Sequence, residues 1–135
     1  AELDLDIVSK SIDINTIGPM RVTQALLPCL ERAAAPKVVN ISSLMGSIED
    51  NSSGGTYAYR MSKAALNMFT KTFAVDFPKI ATLTMHPGWV KTDMGGANAP
   101  TEKTESVKGL LKVILASSLK NTGQFIDYEG DKLPW

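Results

Sequence analysis

Tyr59 and Lys63 stand four residues apart. Within a helix that spacing makes them neighbours on one face. A free phenol has a pKa near ~10 and is poorly charged at neutral pH. An ammonium group beside it favours the phenolate and lowers that pKa. Tyrosine then becomes a usable general acid toward a ketone oxygen, or a base toward an alcohol. Taken alone, a Tyr-x-x-x-Lys spacing is common by chance, and its plain alternative is a tyrosine at a core rim beside a solvated lysine. His86 is the sole histidine, placed just before Pro87-Gly88, where a structural role is expected. Without a second histidine, a cysteine pair or a carboxylate cluster, no metal ligands are assigned. Cys29 is the only cysteine. It excludes an intramolecular disulfide, fits a reducing compartment such as the cytoplasm, and is expected to serve as packing beside Pro28.

The elements that must position Tyr59 and Lys63 follow from periodicity. Residues 3 to about 34 read as helix, with Leu5, Val8, Ile12, Leu26, Leu27 and Leu30 at helical spacing. Gly18-Pro19 interrupts it with an expected kink, and Pro36 closes it. Lys37 to Ser43 reads as a short buried strand, and residues 46–56 as a loop rich in Gly, Ser, Asn and Asp. A long helix follows, about Tyr57 to Phe77, stopped by Pro78. On its wheel Met61, Ala65, Met68 and Thr72 fall to one side of Ala58, and Ser62, Leu66, Phe69, Phe73 and Phe77 to the other. This arc is wider than the ~100° stripe of a helix with one buried face, so either a thick core or a subunit interface is implied.

Ile80 to His86 is a second strand, ended by Pro87-Gly88, and residues 95–100 are a loop. Thr101 is placed to cap a helix running to about Leu119, with Glu102 and Glu105 at its positive end. Val107, Leu110, Leu111, Ile114 and Leu115 supply its apolar face. Gln124 to Asp127 forms a third short strand. Alternation of helix and strand argues for a parallel sheet covered by helices.

The 135 residues fit one domain, which buries roughly two-thirds of its unfolded surface. Hydrophobic residues make up 44% and charged residues 21%, which argues against disorder. Lys plus Arg equals Asp plus Glu, 14 each, so no basic excess recommends nucleic acid or an anionic membrane as partner. No apolar run reaches the ~18 residues of a membrane span. The start shows no signal-peptide pattern. It begins at Ala1 without an initiator methionine, as a processed product or a piece of a longer protein would.

Four ordered segments change the weight of the Tyr59–Lys63 pair: Asp13-Ile14-Asn15-Thr16-Ile17-Gly18-Pro19; Val38-Val39-Asn40-Ile41-Ser42-Ser43 with Gly46; Tyr59-Arg60-Met61-Ser62-Lys63; and His86-Pro87-Gly88-Trp89-Val90-Lys91-Thr92-Asp93. Together they resemble the short-chain dehydrogenase/reductase family. The ending, Phe125 to Gly130 and Leu133-Pro134-Trp135, is similar to its C-factor-like and sniffer-like carbonyl reductase branch. The resemblance implies Tyr59 as proton donor and acceptor, and Lys63 as the residue that holds the nicotinamide ribose and tunes Tyr59. It implies Ser43 at the substrate oxygen and Asn15 as anchor of a proton-relay water. The turn Pro87, Gly88, Val90 and Thr92 would grip the nicotinamide of NADP or NAD, with Trp89 and Met94 bordering the pocket. One local argument supports Asn15: Pro19, four residues on, has no N–H, so the Asn15 carbonyl loses its helical donor and can take a water.

The departure from the family is large. No glycine-rich dinucleotide loop occurs, and the residue that selects NAD or NADP is missing with it. The expected fold is therefore a partial, Rossmann-like, doubly wound α/β sheet of about three strands and three helices, lacking the N-terminal nucleotide-binding half and exposing a strand edge. Residues 1–135 would be the C-terminal catalytic portion of one such domain. Two readings follow: an NAD(P)-dependent oxidoreductase acting on a small carbonyl or alcohol, or a truncated, non-catalytic module for interaction or signalling. A homo-oligomer through the helices at about 5–34 and 57–77 is expected in the family.

Overall fold

The computed structural model describes residues 3–135; Ala1, where a processed start is expected, lies outside the described residues. Asp4 opens the first helix, its carboxylate accepting from the Asp6 and Ile7 amides at 3.0 and 3.2 Å. The helix has three parts: α1 (Leu5–Ile12), a π-helical segment (Asp13–Ile17) and α2 (Gly18–Arg32). The π segment stands where a proline kink is expected. Pro19 cannot donate to the Asn15 carbonyl, and the Gly18 amide reaches back five residues to the Asp13 carbonyl. Two consecutive residues of this segment, Asn15 and Thr16, both hydrogen-bond Ser62 of the next long helix.

That helix, α3 (Tyr57–Asp76), follows β1 (Lys37–Ile41) and a short 3-10 turn (Leu44–Gly46). Then come β2 (Ala81–His86), α4 (Lys103–Ala116), a second 3-10 turn (Leu119–Asn121) and β3 (Gln124–Asp127). The strands form one parallel sheet in the order β1-β2-β3, with Asn40 opposite Thr84 and Thr84 opposite Phe125. This is the partial Rossmann-like sheet the sequence implies. β2, in the centre, is buried from Ala81 to Met85. β1 is not the buried strand expected: Lys37, Val38 and Val39 are half-buried and Ile41 is exposed, because no strand pairs with its outer edge.

The two faces of the sheet differ. Leu83, Met85 and Ile126 form an apolar core with Val39 and with Leu110, Val113 and Ile114 of α4. The alternating residues Thr82 and Thr84 point the other way, into a polar layer under α3. There Asn40 donates to Thr70 at 3.0 Å, Ser42 donates to Asn67 at 2.6 Å, and Asn67 donates to the Gly46 carbonyl at 3.2 Å. The buried arc of α3 is Ser62, Leu66, Asn67, Thr70, Phe73 and Ala74. Met61, Met68 and Thr72, expected on a second buried side, are exposed.

α4 departs from expectation at both ends. Thr101 is buried in a bridge with Val90 and does not cap it; the helix begins after Glu102, whose carboxylate pairs with Lys91. It stops at Ala116, where Ser117 turns extended and its hydroxyl donates to the Ile114 carbonyl at 2.8 Å. Val107, Leu111 and Leu115 are exposed and not part of a packed face. Cys29 is exposed as well, since α2 packs through Thr23, Leu27 and Leu30. No helix among the described residues is long and apolar enough to cross a membrane.

Asn67 ties α3 to both the strand end and the turn after it. Asn67→Leu leaves the Ser42 hydroxyl and the Gly46 carbonyl buried without partners. Each such orphan costs about 1–3 kcal/mol, so a loss of about 2–4 kcal/mol is expected in urea unfolding; a loss near zero would mean that water replaces the amide.

Candidate active site

The C-terminal ends of parallel strands are where α/β sheets bind ligands. Ser42-Ser43 leaves the end of β1, and Pro87-Gly88 the end of β2. α3 enters beside them through three consecutive residues at positive φ, Gly54, Gly55 and Thr56 (64°, 70° and 44°). Arg60 holds this entry, donating to the Gly54 carbonyl at 3.2 Å, to Ser53 at 2.9 Å and to the Met45 carbonyl at 3.4 Å.

Tyr59 and Lys63 lie on the first turns of α3, both half-buried. The Lys63 ammonium is 5.7 Å from the centre of the Tyr59 ring and donates to the Ile41 carbonyl, the last of β1, at 3.1 Å. Burial lowers the Lys63 pKa below its usual value of 10.5. Asn15 joins the same turns from the π segment: its amide donates to the Ser62 hydroxyl at 3.0 Å, and Ser62 donates to the Tyr59 carbonyl at 2.8 Å. Thr16 donates to the Ser62 carbonyl at 2.8 Å.

Ser43 is buried and opens the 3-10 turn, its hydroxyl accepting from the Met45 amide at 3.2 Å. That bond uses a lone pair and not the hydroxyl proton. The turn sits directly on α3. A Cβ on Gly46 would lie 2.8 Å from the Lys63 backbone carbon and Cβ, so glycine is required for this approach. His86 braces the turn from β2, its Nδ1 accepting from the Leu44 amide at 3.3 Å. For this bond Nδ1 carries no proton. Burial lowers the His86 pKa, against the upward pull of Asp127 and Asp50. The structural role expected of this lone histidine is the one it has here.

Asn15 is thus tied to the turns of α3 that carry Tyr59 and Lys63, and the turn opened by Ser43 packs on Lys63 through Gly46. The Pro87, Gly88, Val90 and Thr92 turn is held separately, from the α4 side. Ser106 donates to the Pro87 carbonyl at 2.6 Å, and the Lys91 amide to the Thr101 carbonyl at 2.9 Å. Thr92 donates to the Val90 carbonyl at 3.3 Å and accepts from the Gly95 amide at 3.0 Å. Gly88, at φ 85°, packs against the Tyr128 ring. Among the described residues no hydrogen bond joins this turn to Tyr59 or Lys63. Trp89 and Met94 are exposed. A cleft of about 490 Å³ between Leu30, Pro36, Phe77 and Ile80 lies at the opposite end of the strands and takes no part in this arrangement.

Ser62, Asn67 and Gly46 do positional work that sequence reasoning did not assign. Ser62 left a signal, as a polar residue inside the apolar arc of α3.

The sequence profile described as short chain dehydrogenase matches residues 1–103. The C-signal protein of Myxococcus xanthus is 44% identical over 136 residues, covering 99% of this chain and 82% of that protein. The 1-hydroxy-2-glutathionyl-2-methyl-3-butene dehydrogenase of a Rhodococcus species is 38% identical, covering 98% of this chain and 61% of that enzyme. Among solved structures, the carbonyl reductase Sniffer of D. melanogaster superposes with a TM-score of 0.95 at 37% identity. The NADPH-bound carbonyl reductase from chicken fatty liver does so at 0.92 and 39%. This chain is covered over 98% by each and spans 59% of either.

The half-buried Lys63 has a measurable signature. Its folded pKa lies below the unfolded value, so the unfolded chain binds more protons between the two, and stability rises with pH through that window. Lys63→Met is expected to flatten this alkaline rise, measured by urea unfolding from neutral pH up to 10.5. An unchanged slope would show that Lys63 is not desolvated.

Proposed function

This chain belongs to the short-chain dehydrogenase family, and we propose that it is the catalytic portion of a NAD(P)-dependent oxidoreductase that reduces a small ketone or aldehyde, or oxidises a secondary alcohol. The observation that carries this reading is that Tyr59, Lys63 and the Ser62 bonded by Asn15 share the first turns of one helix, on which the turn after Ser43 packs, at the C-terminal end of the parallel strands. Relatives named as a dehydrogenase and as carbonyl reductases, one of them NADPH-bound, support the chemistry.

The residues fit a nicotinamide nucleotide in part. The Lys63 ammonium has three N–H donors and commits one to Ile41, which leaves donors for ribose hydroxyls. The Pro87, Gly88, Val90 and Thr92 turn offers backbone groups and a hydroxyl for the carboxamide. A glycine-rich turn for the pyrophosphate is absent from the sequence, and that contact is not assigned to this chain.

When bound, the cofactor supplies or accepts the hydride. The Tyr59 hydroxyl gives a proton to the substrate oxygen, or takes one from an alcohol. The Ser43 proton, not engaged in its bond with the Met45 amide, donates to that oxygen and holds it in place. The Lys63 ammonium stabilises the charge left on Tyr59. Asn15 fixes the Tyr59 turn through Ser62, and its carbonyl, lacking a Pro19 donor, anchors the water that returns the proton. A homo-oligomer is part of the proposal, through α2 and α3, where Val22, Leu26, Met61 and Met68 are exposed. A reducing compartment fits the exposed, single Cys29.

A second reading keeps the chain as a truncated, non-catalytic module for interaction or signalling.

Titration of the 135-residue chain with NADPH and NADH, followed by fluorescence with size-exclusion mass alongside, separates the two. Saturable binding is expected of the enzyme; none by a folded chain would move the reading to the module. Tyr59→Phe should lower turnover by about 10²–10⁴-fold, the usual contribution of a general acid, with folding intact. A variant at the unaltered rate would exclude Tyr59 as the proton donor.

A further inference from the structure

We propose that the backbone carbonyl of Trp135 is a positioning group for the active-site turn, clamping residues 47–49 and through them the 3-10 turn that begins after Ser43. The turnover part of this inference rests on the function proposed above; the clamp itself does not.

The clamp is built in stages from β3. Asp127, the last residue of that strand, accepts the Glu129, Gly130 and Asp131 amides on a single carboxylate oxygen at 3.0, 2.9 and 2.9 Å. These bonds reverse the chain, with Gly130 at φ 103°, where a side chain would be strained. The returning segment runs antiparallel to β3. Lys132 bridges Ile126, and the Leu133 amide donates to the Phe125 carbonyl at 2.9 Å. Pro134 follows, with φ fixed by its ring. The Trp135 ring then settles 5.5 Å from the Phe125 ring, with the Lys71 ammonium 5.9 Å from its centre. Phe125 is 1% exposed, so the ring seat is part of the core and not a surface contact.

From this seat the Trp135 carbonyl oxygen accepts three donors: the Ile48 and Glu49 amides, each at 3.0 Å, and the Ser47 hydroxyl at 3.1 Å. Ser47 is 2% exposed. Its oxygen also accepts the Asp50 amide at 3.0 Å, so its hydroxyl proton has one direction left, and Trp135 occupies it. Removing the acceptor strands a buried donor, which costs more than a typical exposed hydrogen bond.

The clamped residues continue directly into the site. Ser47 follows Gly46, which is pressed onto Lys63, and the Ser47 amide donates to the Leu44 carbonyl at 2.9 Å. On its other side the turn is held by His86 at Leu44, Arg60 at Met45 and Asn67 at Gly46. Trp135 supplies the hold on the segment that leaves the turn. Its loss should let Ser43 shift along α3 relative to Tyr59. That affects how the substrate oxygen is received and leaves the proton-transfer group itself in place.

The test compares the wild-type chain with a variant lacking residues 133–135, with Trp135→Ala and with Trp135→Phe, by hydrogen exchange resolved to single amides. The deletion should speed exchange at residues 44–50 by about ten-fold or more, the loss expected when a hydrogen bond worth about 1.4 kcal/mol is removed. Exchange in β2 and in α3 beyond Lys63 should stay within two-fold, about the noise expected of distant sites. Trp135→Ala, which keeps the carbonyl but loses the seat, should behave similarly, and Trp135→Phe should restore slow exchange. If the deleted chain is too unstable to study, Ser47→Ala, which removes one of the three donors to Trp135 and leaves the strap in place, should still speed exchange at the Ile48 and Glu49 amides, and unchanged exchange there would count against the clamp. Unchanged exchange at 44–50 in a folded deletion variant, or acceleration spread evenly over the sheet, would overturn the clamp. Where turnover is measurable, KM should rise more than kcat falls in Trp135→Ala, with recovery in Trp135→Phe; an equal fall in kcat with KM unmoved would remove the positioning role. A wild-type chain without turnover, but with the exchange pattern above, would count against the proposed function and not against the clamp.

Discussion

Everything at the active end of this molecule depends on how α3 is seated on the sheet, and the seat is made of hydrogen bonds. Apolar contact is non-directional and would let a helix slide or roll by a fraction of a turn. The Asn40–Thr70 and Ser42–Asn67 pairs, with Asn67 reaching the Gly46 carbonyl, allow one registration. Each bond adds only about 1 kcal/mol net, but a slipped helix would leave several buried groups unpaired at once. Thr84 lies in this layer with a hydroxyl oxygen that has no partner among the described residues.

The sheet divides stability from chemistry. On its α4 side, Leu83, Met85 and Ile126 form the apolar core. On its α3 side, β1 and β2 present Asn40, Thr82 and Thr84, and the residues proposed for the chemistry follow within two turns. The π segment belongs to this second side. It brings Asn15 and Thr16 onto one neighbour, Ser62, and so ties the first long helix to the carbonyl of Tyr59.

The sequence carried much of this arrangement and hid some of it. β-branched runs ending in Ser-Ser and in His-Pro-Gly located the strands well, because such residues pack on a pleated surface and the turn residues stop it. The Tyr59 and Lys63 spacing fixed their shared face as soon as the helix was recognised. Pro19 signalled a disturbed turn, but not that it would become a π turn, since that outcome depends on what the next helix offers. Thr101 was misread as a cap because a threonine before a charged run looks the same whether its backbone enters a helix or pairs with Val90. Cys29 and the outer residues of α4 were expected inside, and periodicity alone does not say how narrow a packed stripe will be. The polar layer was least legible. Asn67 and Thr70 look like solvent-facing helix residues until the strand opposite them is known to carry Asn40 and Ser42.

One contact sets an order of events. Ser47 and Trp135 are 88 positions apart and are joined directly. Closing so long a loop is entropically costly and is deferred until the intervening elements are in place. A chain still being synthesised can carry Tyr59 and Lys63 on a formed helix, beside a turn whose far side has nothing to hold it. The hold on residues 47–49 is then among the last contacts to form.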